Sequence, residues 1–167
     1  MSVAYEARKW MAVWHVEFAM VPRRALAASS PLAVAEIMDT DWWRTIALPP
    51  GYGQQLAAVA PAEPSRTVDL QTWGPADGNR VDVWSENGRP VRMIVRVDVR
   101  RLDARFGAMV LQFARIADAM LVRGDGLVIE PRVGAFGAAL RSSEAWRYAT
   151  DPAAHFGSYA EPGGDEQ

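Results

Sequence analysis

The stretch from Arg80 to Arg100 constrains the fold of this chain more than any other segment. Apolar and polar residues alternate along its two halves, which flank Asn87-Gly88. Successive side chains of a β-strand point to opposite faces, so this period of two predicts a β-hairpin with one buried face. The predicted buried face carries Val81, Val83, Val91, Met93, Val95, Val97 and Val99. The predicted opposite face carries Asp82, Trp84, Glu86, Arg92, Ile94, Arg96, Asp98 and Arg100.

The turn of this hairpin has two possible lengths. Asn87-Gly88 is typical of a two-residue type I′ turn, but that turn would place Val83 opposite Arg92. A three-residue loop that begins one residue earlier places Val83 opposite Val91 instead. A slip of one residue turns every side chain to the other face, so burial favours the longer loop. We therefore predict three loop residues, with Gly88 at positive φ.

A second strand is predicted over residues 11–21, where side chains alternate up to Pro22. Both alternating sets are largely apolar. This pattern is typical of a strand that is central in its sheet or covered on both faces.

The segment before the hairpin completes an antiparallel meander over residues 67–100. It contains a predicted strand over 67–73, with Val68 on the buried face. The register that avoids opposing aspartates then sets Trp73 across from Arg80. Trp73 would share the face of the arginines, where a cation–π contact is expected.

The clearest helix is predicted over residues 103–120, with Asp103 as its cap, because apolar residues recur there every three or four positions. We expect it to pack on the buried face of the hairpin. Shorter helices are predicted over 31–38, 54–59, 133–140 and 143–149, and a tight turn at 124–126 joins two short apolar segments.

Together these elements predict an α+β fold. A mainly antiparallel sheet of four to six strands, built from the meander and the N-terminal strand, carries helices mostly on one face as a two-layer sandwich. The length predicts one domain over residues 1–167, with 161–167 as a frayed tail.

Composition excludes several classes of protein. The chain has no cysteine, which excludes disulfides, thiol nucleophiles and cysteine metal sites. Its net charge of −2 gives no general attraction to nucleic acid. It has no apolar run of the ~20 residues that span a bilayer and no signal-peptide core, so we expect a cytoplasmic protein without a membrane partner. Lys9 is the only lysine, which is typical of a GC-rich bacterial genome.

The arginine row is the first candidate binding surface. Arg92, Arg96 and Arg100 lie on one predicted strand face, about 13 Å apart, together with Trp84 and Trp73. Guanidinium and aromatic groups together suit an anionic or protein partner. The alternative is a self-neutralised face, in which Asp82 pairs with Arg92 across the strands and Asp98 lies between Arg96 and Arg100. The interleaved aspartates favour this alternative and disfavour nucleic acid.

Tryptophan supplies the second set of candidates, since the chain has seven. Trp42 and Trp43 are adjacent, so on a regular strand or helix they cannot both face the core. We expect one of them at a rim or interface, and at least one tryptophan of the seven to be exposed.

Motifs for catalysis and for cofactors are missing. His15 and His155 are the only histidines, and neither belongs to a recognised catalytic motif. No glycine-rich phosphate loop has the required spacing. Asp69, Asp82 and Asp98 are expected on one sheet face, but arginines between them would compete with a cation. The sequence therefore predicts no metal and no cofactor.

These observations favour a non-catalytic bacterial protein that binds another protein. Its small size, many tryptophans and α+β meander resemble those of immunity proteins of bacterial toxin systems, in style and not in any residue motif. An immunity-type or assembly component is thus the leading hypothesis. A ligand-binding protein or enzyme, with a pocket between the sheet and residues 42–54, is the alternative, and a pocket holding His15 or convergent acids would favour it. A homo-oligomer is the third hypothesis.

Overall fold

The predicted α+β architecture with an antiparallel sheet is confirmed, but the described residues form seven strands, so the predicted number of four to six is wrong. The structure is a computed structural model that describes residues 13–29, 34–65 and 67–153. Within these ranges the chain forms seven strands: β1 His15–Pro22, β2 Ala62–Glu63, β3 Leu70–Trp73, β4 Arg80–Glu86, β5 Arg89–Asp98, β6 Ala119–Arg123 and β7 Val128–Ile129. Their order across the sheet is β2-β3-β4-β5-β1-β6-β7, with all neighbours antiparallel.

Six helices accompany the sheet in the described ranges: α1 Arg23–Ala28, α2 Val34–Ile37, α3 Tyr52–Ala57, α4 Ala104–Ile116, α5 Val133–Arg141 and α6 Glu144–Thr150. The start of the predicted 31–38 helix, the first two residues of the predicted 11–21 strand and the 161–167 tail lie outside the described residues. None of the described helices has the length and hydropathy needed to cross a bilayer.

Strand β1 is central and buried on both faces, as its two apolar sets predicted. On one face Phe18 lies opposite Val95, and neither side chain is exposed. On the other face Ala19 lies opposite Ile94, and both are buried. The pairing of β1 with β5 ends at this second pair.

Helix α4 belongs to the layer on the Phe18 face. The ring of Phe136, in α5, lies 5.4 Å from the Phe18 ring, and a β-carbon at Gly107 of α4 would lie 3.6 Å from the Phe136 ring. The carboxylate of Asp103 accepts hydrogen bonds from the backbone N–H groups of Arg105 and Phe106, so α4 begins at the predicted position. The predicted end at residue 120 is wrong, because α4 ends at Ile116 and β6 begins at Ala119. The buried side chains of α4 are Phe106, Met109, Val110, Leu111, Phe113 and Ala114.

The turn of the β4–β5 hairpin has two residues, so the predicted three-residue loop is wrong. Asn87 and Gly88 both have positive φ, at 52° and 74°, as a type I′ turn requires. Glu86 and Arg89 consequently lie opposite each other. The positive φ predicted for Gly88 is confirmed.

A β-bulge restores the apolar pairing that the longer loop was expected to provide. The pairing of β4 with β5 shifts between Trp84 and Ser85, and Val91 is the extra residue. Beyond the bulge Val83 lies opposite Met93, and both side chains are buried. The hairpin therefore keeps the favoured short turn and still buries one complete face.

Strand β3 lies one residue out of the predicted register. Trp73 is opposite Val81 rather than Arg80. Val68, which was predicted to be buried, lies before the strand and is 96% exposed. The one-residue slip moves Trp73 to the core face, because burying a large indole stabilises more than burying a valine.

Candidate functional site

All three arginines of the predicted binding row are engaged in ion pairs. Arg92 Nη2 lies 2.8 Å from Asp41, Arg96 Nη2 lies 3.0 Å from Glu17, and Arg100 Nη2 lies 2.8 Å from Asp98. The self-neutralised face is therefore what forms. Two of the acids come from sequence segments far from the hairpin, and no local pattern pointed to them.

The predicted cross-strand pair between Asp82 and Arg92 is wrong, because the bulge places Asp82 opposite Ile94. The Asp82 carboxylate instead accepts hydrogen bonds from Arg80 at 2.7 Å and from the Thr72 hydroxyl at 2.8 Å. The aspartate is 5% exposed, so these two bonds satisfy a buried charge.

One end of the row forms a cluster of aromatic and charged side chains. The Arg92 guanidinium lies 5.8 Å from the centre of the Trp84 ring, within cation–π range. Arg44 bonds to Asp41 at 2.7 Å and also to Glu86. We call these five residues the Trp84 cluster. Burial raises the pKa of Asp41, but hydrogen bonds from the two arginines outweigh this effect and lower the pKa below 3.8.

The other end of the row holds a stacked group. The Arg100 guanidinium lies 3.7 Å from the centre of the Trp14 ring, which is itself stacked on Tyr148 at 6.3 Å. Asp98 beside it is fully buried and accepts bonds from the Arg100 side chain and backbone. Burial raises the pKa of Asp98, and these bonds with Arg100 more than reverse the shift.

Trp42, Trp43 and Trp73 are buried, at 7%, 2% and 5% exposure, so they are not surface candidates. The expectation that Trp42 or Trp43 lies at a rim is wrong. These two residues lie in a turn, where adjacent side chains need not alternate. Among the described tryptophans none is exposed, and Trp10 lies outside the described residues.

Trp42, Trp43 and Leu48, which belong to the segment predicted to border a pocket, are buried in the core. A cleft of about 440 Å³ lies elsewhere, at the start of β1, the β6–β7 turn and the junction of α5 with α6. His15 is one of its lining residues. A second cavity, of about 560 Å³, is a groove between α3 and α4.

His15 is 7% exposed, and its Nε2 lies 3.3 Å from the carbonyl oxygen of Asp77. Nδ1 is buried and has no hydrogen-bond partner. Burial lowers the pKa of His15 from 6.5, and Arg96 and Arg100 add to this effect, whereas the bond to Asp77 and the charge of Asp98 oppose it. The imidazole is therefore neutral at neutral pH.

The lowered pKa predicts a pH dependence of stability. The unfolded chain binds a proton at His15 near pH 6.5, whereas the folded chain does so only at lower pH. The free energy of unfolding should therefore decrease as pH falls from 6.5 to the folded pKa, by up to about 1.4 kcal/mol per pH unit. Urea unfolding across pH 5–7 should show this slope, and His15→Gln should remove it.

The control for this measurement is Val68→Ala, at a side chain that is 96% exposed and does not titrate, which should leave the slope unchanged. The pKa values of Asp41 and Asp98 are lowered from 3.8, so their stabilisation is lost only below that pH and does not overlap with the histidine window. An unchanged slope in the His15 variant would contradict the attribution of this pH dependence to His15.

Metal ligands are not gathered at any point of the described ranges, which contain no group of three His, Asp or Glu side chains suited to a metal ion. The expected alignment of Asp69 with Asp82 and Asp98 is wrong, since Asp69 precedes β3. The second histidine, His155, lies outside the described residues.

Comparison of the chain with protein-family models, with curated proteins and with solved structures finds no match. Its fold and surface therefore stand as the basis for assigning a function.

Proposed function

We propose that this protein is a non-catalytic bacterial binding protein that recognises another protein through the Trp84 cluster. The observation that carries the proposal is the cation–π contact of Arg92 with a half-buried Trp84, with the guanidinium held by Asp41. Tryptophan and arginine are enriched at binding hot spots. Side chains that are already ordered lose little conformational entropy when a partner binds.

The charge of the cluster supports a protein partner rather than nucleic acid. Two arginines, Arg44 and Arg92, form ion pairs with three acids, Asp39, Asp41 and Glu86. A surface without excess positive charge releases few counterions, so its binding should change little with salt. Nucleic-acid binding, in contrast, weakens steeply as salt increases.

The partner class that we propose is a bacterial toxin or a component of a larger assembly. The proposal draws on the size of the chain, its many tryptophans and its lack of a recognised catalytic motif. A toxin-like reading frame beside the gene would favour the immunity role. Self-association through the same cluster is the competing possibility, and light scattering across a range of concentrations distinguishes it by a rise in mass.

Replacing Trp84 with alanine should weaken partner binding by about 30-fold or more, the effect expected of a hot-spot tryptophan. The partner is isolated from an extract of the native host with the wild-type protein as bait and identified by mass spectrometry. Its Kd is then measured by calorimetry against the wild type and each variant. Arg92→Gln should also weaken binding, because it removes the guanidinium that contacts Trp84.

The matched control is Trp146→Ala, since Trp146 is likewise half-buried against the core but lies on α6. Thermal unfolding establishes that each variant is folded. Equal weakening by both tryptophan substitutions would contradict the assignment to the cluster. Failure to recover any stoichiometric protein would contradict protein binding itself.

A further inference from the structure

In the cleft beside His15, most of the polar side chains that line it already form hydrogen bonds or ion pairs with other residues of the chain. Its volume of about 440 Å³ falls in the range of small-molecule sites. Glu17 is paired with Arg96 at 3.0 Å, and Arg123 is paired with Asp125 at 2.6 Å. Arg123 also donates to the hydroxyl of Ser142 at 2.8 Å. These bonds hold the lining in place and leave those groups with little capacity for a ligand.

The hydroxyl of Ser143, which also lines the cleft, is likewise occupied by hydrogen bonds within the chain. It donates to the carbonyl of Leu140 at 2.6 Å and accepts a hydrogen bond from the backbone N–H of Trp146 at 3.1 Å. It therefore caps α6 and is not available as a nucleophile. The cleft is thus suited to binding rather than to covalent chemistry.

Three groups that line the cleft remain unused. Nδ1 of His15 is a buried acceptor without a donor, because Nε2–H is directed at the Asp77 carbonyl and the ring is neutral. Glu144 and Arg147 line the cleft at exposed positions, and neither forms an ion pair with any residue in the described ranges. The unused set is therefore one hydrogen-bond acceptor, one negative charge and one positive charge.

We propose that this cleft binds a small zwitterionic molecule of the α-amino acid type. Its ammonium group would meet Glu144, and its carboxylate would meet Arg147. An ammonium group has three N–H donors, so one of them can be offered to Nδ1 of His15. That nitrogen is covered in the free protein, so binding includes a small movement of the ring.

Other ligand charges fit the cleft less well. A simple anion would be attracted to Arg147 but repelled by the carboxylate of Glu144. A simple cation would be attracted to Glu144 but repelled by the guanidinium of Arg147. Like charges in a partly enclosed site are destabilising. A zwitterion satisfies both unpaired charges at once. This proposal is independent of protein binding through the Trp84 cluster.

Calorimetric titration with each of the common amino acids tests the proposal. We expect saturable binding of at least one of them. Its N-acetyl derivative lacks the ammonium group and its carboxamide lacks the carboxylate. Each derivative should bind about tenfold more weakly or worse, the effect of losing one charge-assisted hydrogen bond.

Charge-neutral variants assign each contact. Glu144→Gln should abolish the preference for the free amine over the N-acetyl form, and Arg147→Gln should abolish the preference for the carboxylate over the amide. The controls are Glu63→Gln and Arg101→Gln, which are exposed outside the cleft and should retain both preferences. The ¹⁵N resonance of His15 Nδ1 should shift on saturation.

Four results would overturn the proposal. The first is the absence of saturable binding by any amino acid, and the second is equal binding of a parent compound and its derivatives. The third is an unshifted Nδ1 resonance at saturation. The fourth is a retained preference in the cleft variants. Loss of partner binding in the Trp84 variant would leave these outcomes unaffected, so the two proposals fail separately.

Discussion

Replacing Trp43 with alanine is expected to lower the free energy of unfolding by about 3–5 kcal/mol. Trp43 is 2% exposed and belongs to the central core. Its backbone N–H donates to the carbonyl of Val91 at 2.9 Å, and its indole N–H donates to the carbonyl of Met20 at 2.8 Å. The alanine variant would therefore lose packing and leave a buried carbonyl without its donor.

This large effect follows from where the two acceptors lie. Met20 is on β1 and Val91 is the bulge residue of β5, beyond the point where the pairing of these strands ends. Trp43 joins the two strands where they no longer bond each other directly. Urea unfolding measures the loss, and the midpoint should fall without a change in slope.

Two further substitutions test this explanation. Trp43→Phe keeps most of the apolar area but removes the indole donor, so it should cost about 1–3 kcal/mol, less than alanine. Val68→Ala, at a side chain that is 96% exposed, should change stability by less than about 0.5 kcal/mol. An alanine variant of Trp43 as stable as the Val68 variant would refute a structural role for the indole.

Gly74→Ala is expected to be the second strongly destabilising change, at about 3 kcal/mol or more. Gly74 follows β3 with φ at 96°, a conformation that L side chains rarely adopt. A β-carbon there would lie 2.2 Å from the carbonyl oxygen of Asn79, and this neighbour is backbone. The alanine variant must therefore distort the connection between β3 and β4.

Gly88→Ala is the matched control for this prediction. Its φ of 74° is also positive, but a β-carbon at Gly88 would meet nothing within 4 Å. The substitution should lower the free energy of unfolding only by the backbone strain that it introduces, about 1–2 kcal/mol. Thermal unfolding of both variants separates strain from collision, and equal destabilisation would show that the collision at Gly74 is relieved.

The candidate surface was only partly predictable from the sequence. Alternation along β5 correctly brought Arg92, Arg96 and Trp84 to one face, because the period of a strand is a local property. The acids that neutralise the row could not be predicted from the local sequence. Asp41 and Glu17 are 51 and 79 positions from their partner arginines, and only folding brings them together.

The hairpin illustrates the same limit at shorter range. The Asn87-Gly88 pair is typical of the two-residue turn that forms, but the apolar pattern led us to predict the longer loop instead; that pattern correctly indicated which face is buried. Combining the two required a bulge at Val91, whose carbonyl is bonded by Trp43. The bulge therefore depends on a segment remote in sequence, which the hairpin residues alone could not reveal.

The sequence by itself determined the antiparallel meander, the central strand with two buried faces, the cap at Asp103 and the positive φ at Gly88. These features depend on side-chain periodicity and local backbone sterics, which neighbouring residues in the sequence determine. The tertiary structure alone decided the register of β3, the burial of both Trp42 and Trp43 and the cleft beside His15. Each of these reflects competition among distant segments for the same buried volume, so no local pattern contains the outcome.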